Sequence, residues 1–158
     1  MKTVFAYFPT DSEEYLCLSQ NRFAKFRGDP ELIYPMVPAS GLTLWKKEGY
    51  GVHYIDSVCD KLTTKKFLDI ICKIKPDLLV FETKTPVVKK NWEMVNKIKE
   101  ILPNTKIAAV GDHVSVLPEE TMKNSMVDFV ITGGDFDLGM LKLARYLEKK
   151  EKLPKGIY

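Results

Sequence analysis

The residues best suited to chemistry fall between positions 107 and 120, in the run Ile-Ala-Ala-Val-Gly-Asp-His-Val-Ser-Val-Leu-Pro-Glu-Glu. An apolar segment stops at Gly111, the polar pair Asp112 and His113 follows, and Pro118-Glu119-Glu120 reads as the first turn of a short helix. His113 suits a polar contact to a bound molecule, and suits a capping or loop role equally well. His53, in the middle of a strand-like run, is better explained as structural or solvated. Cys17, Cys59 and Cys72 are odd in number and widely spaced, so neither disulfides nor a C-x-x-C pair is expected. Cys72, between Ile71 and Ile74, reads as a small packed hydrophobe. With only two histidines and no H-x-x-x-H, the chain makes a poor catalytic-metal site.

These residues need a scaffold, and the sequence supplies one. Strand-like runs occur at 3–8, 51–55, 77–81, 106–110 and 126–131. Helical patterns fill the gaps from 38 or 39 to about 48, from 63 or 64 to 74, from 86 to 102, and after Asp135, which is placed to cap the last helix. The last helix is expected to carry Leu138, Leu141, Leu143, Ala144 and Leu147. The run at 77–81 is continuously apolar, as in a strand buried on both faces. Alternation of strand and helix specifies an α/β fold: a three-layer, Rossmann-like or flavodoxin-like, doubly wound five-stranded parallel sheet of order 2-1-3-4-5. In such a sheet the loops after the strands share one rim, where ligands bind. Here they are Phe8-Pro9-Thr10, Asp56-Ser57, Glu82-Thr83-Lys84-Thr85-Pro86, Gly111-Asp112-His113 and Thr132-Gly133-Gly134-Asp135. Any one of these loops is explained by turning the chain. Several polar loops on one edge, with a long apolar-rich connection at about 9–37 folding over them, suggest a ligand.

Bulk properties narrow the field. A length of 158 residues implies one domain over the whole chain, and 45% hydrophobic with 28% charged residues is ordinary for a soluble protein. The net charge of +3 is too small to argue for nucleic acid, and the lysines fall on solvated helix faces. No apolar run approaches the length of a membrane span, and the start lacks a signal-peptide layout, so a cytoplasmic address is expected. The fingerprints of several α/β activities are absent. There is no G-x-G-x-x-G, no G-x-x-x-x-G-K-[ST] and no G-x-S-x-G. Pro9 and Glu82 stand where a receiver domain would carry its acidic residues.

The ordered pieces resemble the amino-terminal cobalamin-binding domain of cobalamin-dependent radical SAM proteins, the group that includes the anaerobic magnesium-protoporphyrin ester cyclase. They are Pro35-Met-Val-Pro-Ala39, Glu48-Gly-Tyr-Gly-Val-His-Tyr-Ile-Asp56, Lys75-Pro-Asp-Leu-Leu79, Thr83-Lys-Thr-Pro86, Gly111 to Glu120, and Val127-Asp-Phe-Val-Ile-Thr-Gly-Gly-Asp135. The resemblance covers nearly the whole chain. It implies cobalamin lying on the carboxyl rim with its nucleotide tail beside the strands. By position, Thr83, Thr85, Gly111, Asp112, His113, Thr132, Gly133 and Gly134 would line the tail or the corrin edge. Pro9, Thr10, Pro38 and Ala39 would sit nearest the metal face. It also implies a partner radical SAM domain, in cis or in trans, that carries the iron–sulfur cluster. The C-x-x-x-C-x-x-C motif of that domain is absent here, so no cluster is expected in this chain, which alone is expected to be non-catalytic.

Three departures accompany the likeness. No D-x-H-x-x-G follows the first strand, so a lower histidine ligand to cobalt is missing. The family's Gly-Gly-Pro-His reads Gly111-Asp112-His113, and its Gly-Glu-Gly-Glu reads Gly133-Gly134-Asp135-Phe136. Asp112 and Phe136 therefore support an alternative: a degenerate homologue with a closed pocket, acting as a non-catalytic interaction or scaffold module. An enzyme acting on another small ligand, such as a nucleotide, ranks lowest, because no base, nucleophile or phosphate cradle is identifiable.

Overall fold

Each strand of the main sheet alternates its side chains between two hydrophobic layers. Phe5, Tyr7, Leu78, Val80, Ala108 and Val110 face one layer, while Val4, Ala6, Leu79, Phe81, Ile107 and Ala109 face the other. That alternation is what a sheet covered by helices on both sides requires. The computed structural model describes residues 1–9 and 34–158, together with the backbone of two short strands at 15–16 and 26–27. The elements in chain order are β1 (Lys2–Tyr7), β2 (Tyr15–Leu16), β3 (Phe26–Arg27), α1 (Met36–Lys47), β4 (Gly51–Asp56), α2 (Thr64–Ile74) and β5 (Leu78–Glu82). A 3-10 turn at Thr85–Val87 leads into α3 (Val88–Ile101), followed by β6 (Lys106–Val110), α4 (Asp112–Val116), α5 (Pro118–Asn124), β7 (Phe129–Val130) and α6 (Asp137–Lys149).

The sheet runs β4-β1-β5-β6-β7 with every pair parallel, which is the order 2-1-3-4-5 counted on its own five strands. Helices α1 and α6 cover one face through Trp45, Met140, Leu143 and Ala144. Helices α2 and α3 cover the other through Phe67, Ile71, Met94, Val95 and Ile98. Strands β2 and β3 pair antiparallel as a separate ribbon. The remainder of the connection at about 9–37, apart from Pro9 and positions 34–37, lies outside the described residues. Among the described residues no helix is long and apolar enough to cross a membrane.

Several boundaries follow their local chemistry closely. Thr63 caps α2 by accepting the Lys66 N–H, and Lys75 ends that helix in a left-handed conformation before Pro76. Pro118 occupies the first turn of α5, where its missing donor costs nothing. His53 is exposed on the edge strand β4, and Cys72 is half-buried.

Other expectations are corrected. Helix α1 begins at Met36, not at 38 or 39, because Pro38 falls in the first turn, where an N–H has no intrahelical partner. The strand expected at 126–131 contracts to Phe129–Val130. Its lead-in is held instead by side chains, with Met126 N–H donating to Asn96 and the Asp128 carboxylate accepting the Ile107 N–H. Beyond Val130 the edge is closed by residues 156–158, with Thr132 N–H bonded to Gly156 O and Val130 exchanging bonds with Tyr158. Covering an open strand edge in this way removes unpaired backbone groups.

Asp135 does not cap α6. Phe136 is drawn into the core and stacks on Phe5 with ring centroids 6.1 Å apart, which moves the helix start to Asp137. The Asp137 carboxylate accepts the Leu138 N–H and the Ser40 hydroxyl. That start leaves Leu138 outward and exposed while Met140, Leu141, Leu143 and Ala144 face the core. Ile101, in the last turn of α3, is likewise exposed.

Candidate functional site at the carboxyl edge

A cleft of about 510 Å³ opens at the carboxyl edge, on the face that carries α1 and α6. Its walls are Met36 and Val37 at the start of α1, Glu82 and Lys84 after β5, Gly111 and Asp112 after β6, and Gly133 to Phe136 between β7 and α6. Four of the residues proposed from the sequence therefore meet there: Gly111, Asp112, Gly133 and Gly134. The others that are described do not line this cleft. Pro38 is buried within α1, Ala39 is half-buried beside it, and Pro9 is buried just past β1. Thr10 lies outside the described residues.

The hydroxyl-bearing residues turn inward to hold the rim. The fully buried Thr83 accepts a hydrogen bond from Asn91 at 2.8 Å, and Thr132 donates to Gly156 O at 3.0 Å. Thr85 shares a 3.1 Å hydrogen bond with His113 Nδ1. His113 is only 5% exposed and packs edge-to-face on Trp92 of α3, 6.2 Å between centroids, rather than lining the cleft. Its Nε2 lies 3.3 Å from the Glu120 carboxylate without the alignment of a hydrogen bond. His113→Ala is therefore expected to lower stability by about 2–3 kcal/mol, chiefly through the lost buried ring, with a smaller part from its hydrogen bond to the exposed Thr85. Urea denaturation monitored by circular dichroism measures this; a change below about 0.5 kcal/mol would show that the ring is not a packing element.

The segment at 107–120 is not an open elbow. After Gly111 the chain enters α4, a single short helical turn that the sequence reading lacked. Ser115 on that turn joins two rim loops: its hydroxyl donates to Gly111 O at 2.8 Å and accepts the Gly133 N–H at 3.0 Å. The two glycine positions differ in kind. Gly111 has φ +112°, and a Cβ there would lie 2.5 Å from Thr83 O, so backbone packing alone demands glycine. Among the described residues a Cβ at Gly134 would meet nothing within 4 Å, so that residue presents bare backbone to the cleft.

The sequence analysis placed Glu82 and Lys84 in a rim loop but gave neither a role. Glu82 closes β5 with its side chain 11% exposed, and Tyr7 donates a 2.6 Å hydrogen bond to its Oε2. Lys84 Nζ stands 4.0 Å from Oε1. Burial raises the Glu82 carboxyl above the usual carboxylate range. Asp112 adds to the rise, while Tyr7 and Lys84 oppose it. The Tyr7 phenol is pushed far above its ordinary value, first by burial and then by the Glu82 charge. Period-two alternation contained the signal: Leu78, Val80 and Glu82 share a face, so the carboxyl had to point to the α1 and α6 side. Among the described residues no group of three or more His, Cys, Asp or Glu could hold a metal ion.

A curated relative, an uncharacterized methyltransferase of Pyrococcus horikoshii, is 28% identical over 111 residues, covering 70% of this chain and 24% of its own length. The radical S-adenosylmethionine methyltransferase TsrM of Kitasatospora setae, solved with cobalamin and an iron–sulfur cluster bound, superposes with a TM-score of 0.72. That match is 16% identical and covers 99% of this chain and 27% of TsrM. The cobalamin-dependent S-adenosylmethionine radical enzyme OxsB, solved with aqua-cobalamin and S-adenosylmethionine, also gives 0.72 at 18% identity, over 98% of this chain and 20% of OxsB. At these identities the superpositions show the fold, and the chain spans only between a fifth and about a quarter of the length of these three proteins. The sequence family described as the B12 binding domain matches residues 42–138, from within α1 through the rim loops to the start of α6, and the chain belongs to that family.

Proposed function

We propose that the chain holds a corrinoid, cobalamin in the first instance, and presents it to a separate iron–sulfur radical SAM domain in cis or in trans. The observation that carries this reading is the cleft at the carboxyl edge, where among the described residues nothing lies within 4 Å of a Cβ at Gly134 and the Phe136 ring stacks inward on Phe5. A volume of about 510 Å³ suits a nucleotide-sized group and is far too small for a whole corrinoid. The residues therefore fit the nucleotide tail, with the corrin ring resting over the rim. Gly133, Gly134 and Asp112 would flank the tail, and Met36 and Val37 would close its apolar side. The corrinoid supplies a cobalt centre able to carry a methyl group. This chain supplies binding, orientation and exclusion of water. The parent enzyme is, on this reading, a radical SAM methyltransferase or cyclase.

The alternative of a closed, degenerate pocket rested on Asp112 and Phe136. Phe136 stacks inward on Phe5, and the cleft formed by the described residues stays open beside Asp112. Both observations favour a binding module. Purified protein mixed with hydroxocobalamin is expected to carry the pigment through gel filtration, with a shifted visible spectrum. A colourless protein peak with an unshifted spectrum would overturn the proposal.

A further inference from the structure

The charge balance of the cleft is unusual for a site that would receive a phosphodiester. Among the described residues three carboxyls, Glu82, Asp112 and Asp135, line it with one ammonium, Lys84. Asp112 and Asp135 are exposed and screened by solvent, so the largely buried Glu82 carboxyl is the charge that a ligand phosphate would meet least screened. Glu82 is the carboxyl best placed to give up its charge. It lies deepest, its side chain being 11% exposed, and Tyr7 already donates to one of its oxygens. Tyr7 cannot become the acceptor of a second charge, because its phenol is buried and held protonated. The groups facing Glu82 are Tyr7 from β1, Lys84 from its own loop and Asp112 from α4; Asp135 lines the same cleft.

Resting on the corrinoid reading above, we propose that Glu82 acts in the bound state as a neutral acid and donates a hydrogen bond to the ring nitrogen of the nucleotide base. The donor is the carboxyl oxygen that Tyr7 does not engage. A benzimidazole or purine that is not bonded to cobalt carries such an acceptor nitrogen, and a corrinoid lacking the nucleotide does not. Glu82 thereby selects corrinoids with a nitrogenous base and makes their binding proton-linked. An ionised Glu82 takes one proton from solvent as the ligand enters. Burial and the neighbouring Asp112 both lift the Glu82 carboxyl toward that protonated state. Affinity is then full below the Glu82 titration and falls as pH rises through it.

The test uses methylcobalamin, whose upper ligand does not titrate, with equilibrium dialysis from roughly pH 6 to pH 9. The wild-type affinity is expected to fall with rising pH, approaching about tenfold per pH unit once Glu82 is ionised. Glu82→Gln keeps a donor and cannot ionise, so its affinity should stay within about threefold across the range. Glu82→Leu, which fills much of the same space but has no donor, should bind at least about tenfold more weakly than Gln at every pH. Methylcobinamide, which lacks the nucleotide, should show no difference among the three proteins.

Parallel pH profiles for wild type and Glu82→Gln would overturn the inference, as would undiminished binding by Glu82→Leu in a protein of unchanged melting temperature. Wild-type affinity that rises with pH would also overturn it. Failure of every protein to bind either corrinoid would bring down the functional reading itself, and this inference with it.

Discussion

Gly111→Ala is expected to cost about 3–5 kcal/mol of folding stability, the largest effect of any single-methyl change on the rim. Gly111 has φ +112° and ψ −177°, a region that residues with a Cβ essentially do not enter. Backbone strain of this kind alone costs about 1–3 kcal/mol. A steric term adds to it, because the new methyl would sit 2.5 Å from Thr83 O and 3.3 Å from Thr83 N. Neither contact can relax cheaply, since Thr83 N–H is itself bonded to Val110 O and the Thr83 side chain is fixed by Asn91. The same substitution at the other rim glycines calibrates the result. Gly133 has φ +106° but open space, so alanine there should show only the strain. Gly134 has neither problem and should change by less than about 0.5 kcal/mol. Urea unfolding of the three variants should give the order 111, 133, 134. Equal losses at 111 and 134 would contradict the close approach of the two loops.

The same residues show what a sequence discloses and what it withholds. The five strands and their order were legible because period-two and continuous apolar runs report burial directly, and parallel crossovers leave few topologies. Glycine at 111, 133 and 134 marked the rim correctly, yet spacing cannot tell a glycine required by packing from one facing a ligand. Only the distance to Thr83 O separates them. Asp135 looked like a helix cap because its spacing was right, but burying Phe136 against Phe5 and Met140 against Trp45 outweighs one capping bond. Phe136, read from the sequence as an aromatic obstructing the rim, is drawn inward by the same burial. His113 and the rim threonines show a further limit. Polar residues in a loop advertise hydrogen bonding but not its partner, and here the partners are Thr85, Asn91 and Gly156 within the chain. The Tyr7–Glu82 pair was hidden for the opposite reason, since its two residues lie 75 positions apart and meet only through strand pairing.

Filling the cleft without disturbing the fold should abolish corrinoid binding, and Gly134 is the position that permits it. The residue has no positive φ, and among the described residues nothing lies within 4 Å of where its side chain would start. Gly134→Trp should therefore fold with a stability change under about 0.5 kcal/mol, while its indole occupies the space opposite Glu82 and Lys84. The expected loss of cobalamin affinity is at least about a hundredfold, or roughly 2.8 kcal/mol, because a rigid ring replaces the volume needed by the tail. Gly134→Ala should lose less than about tenfold, since one methyl only narrows the opening. Visible-absorbance titration measures both, and melting temperatures confirm that the proteins remain folded. A tryptophan variant that binds cobalamin as tightly as wild type would move the ligand off this cleft. Nothing in the backbone at 134 forbids a side chain, so folding does not explain the glycine there. Under the proposed reading, a flat tail lying against bare backbone would explain it.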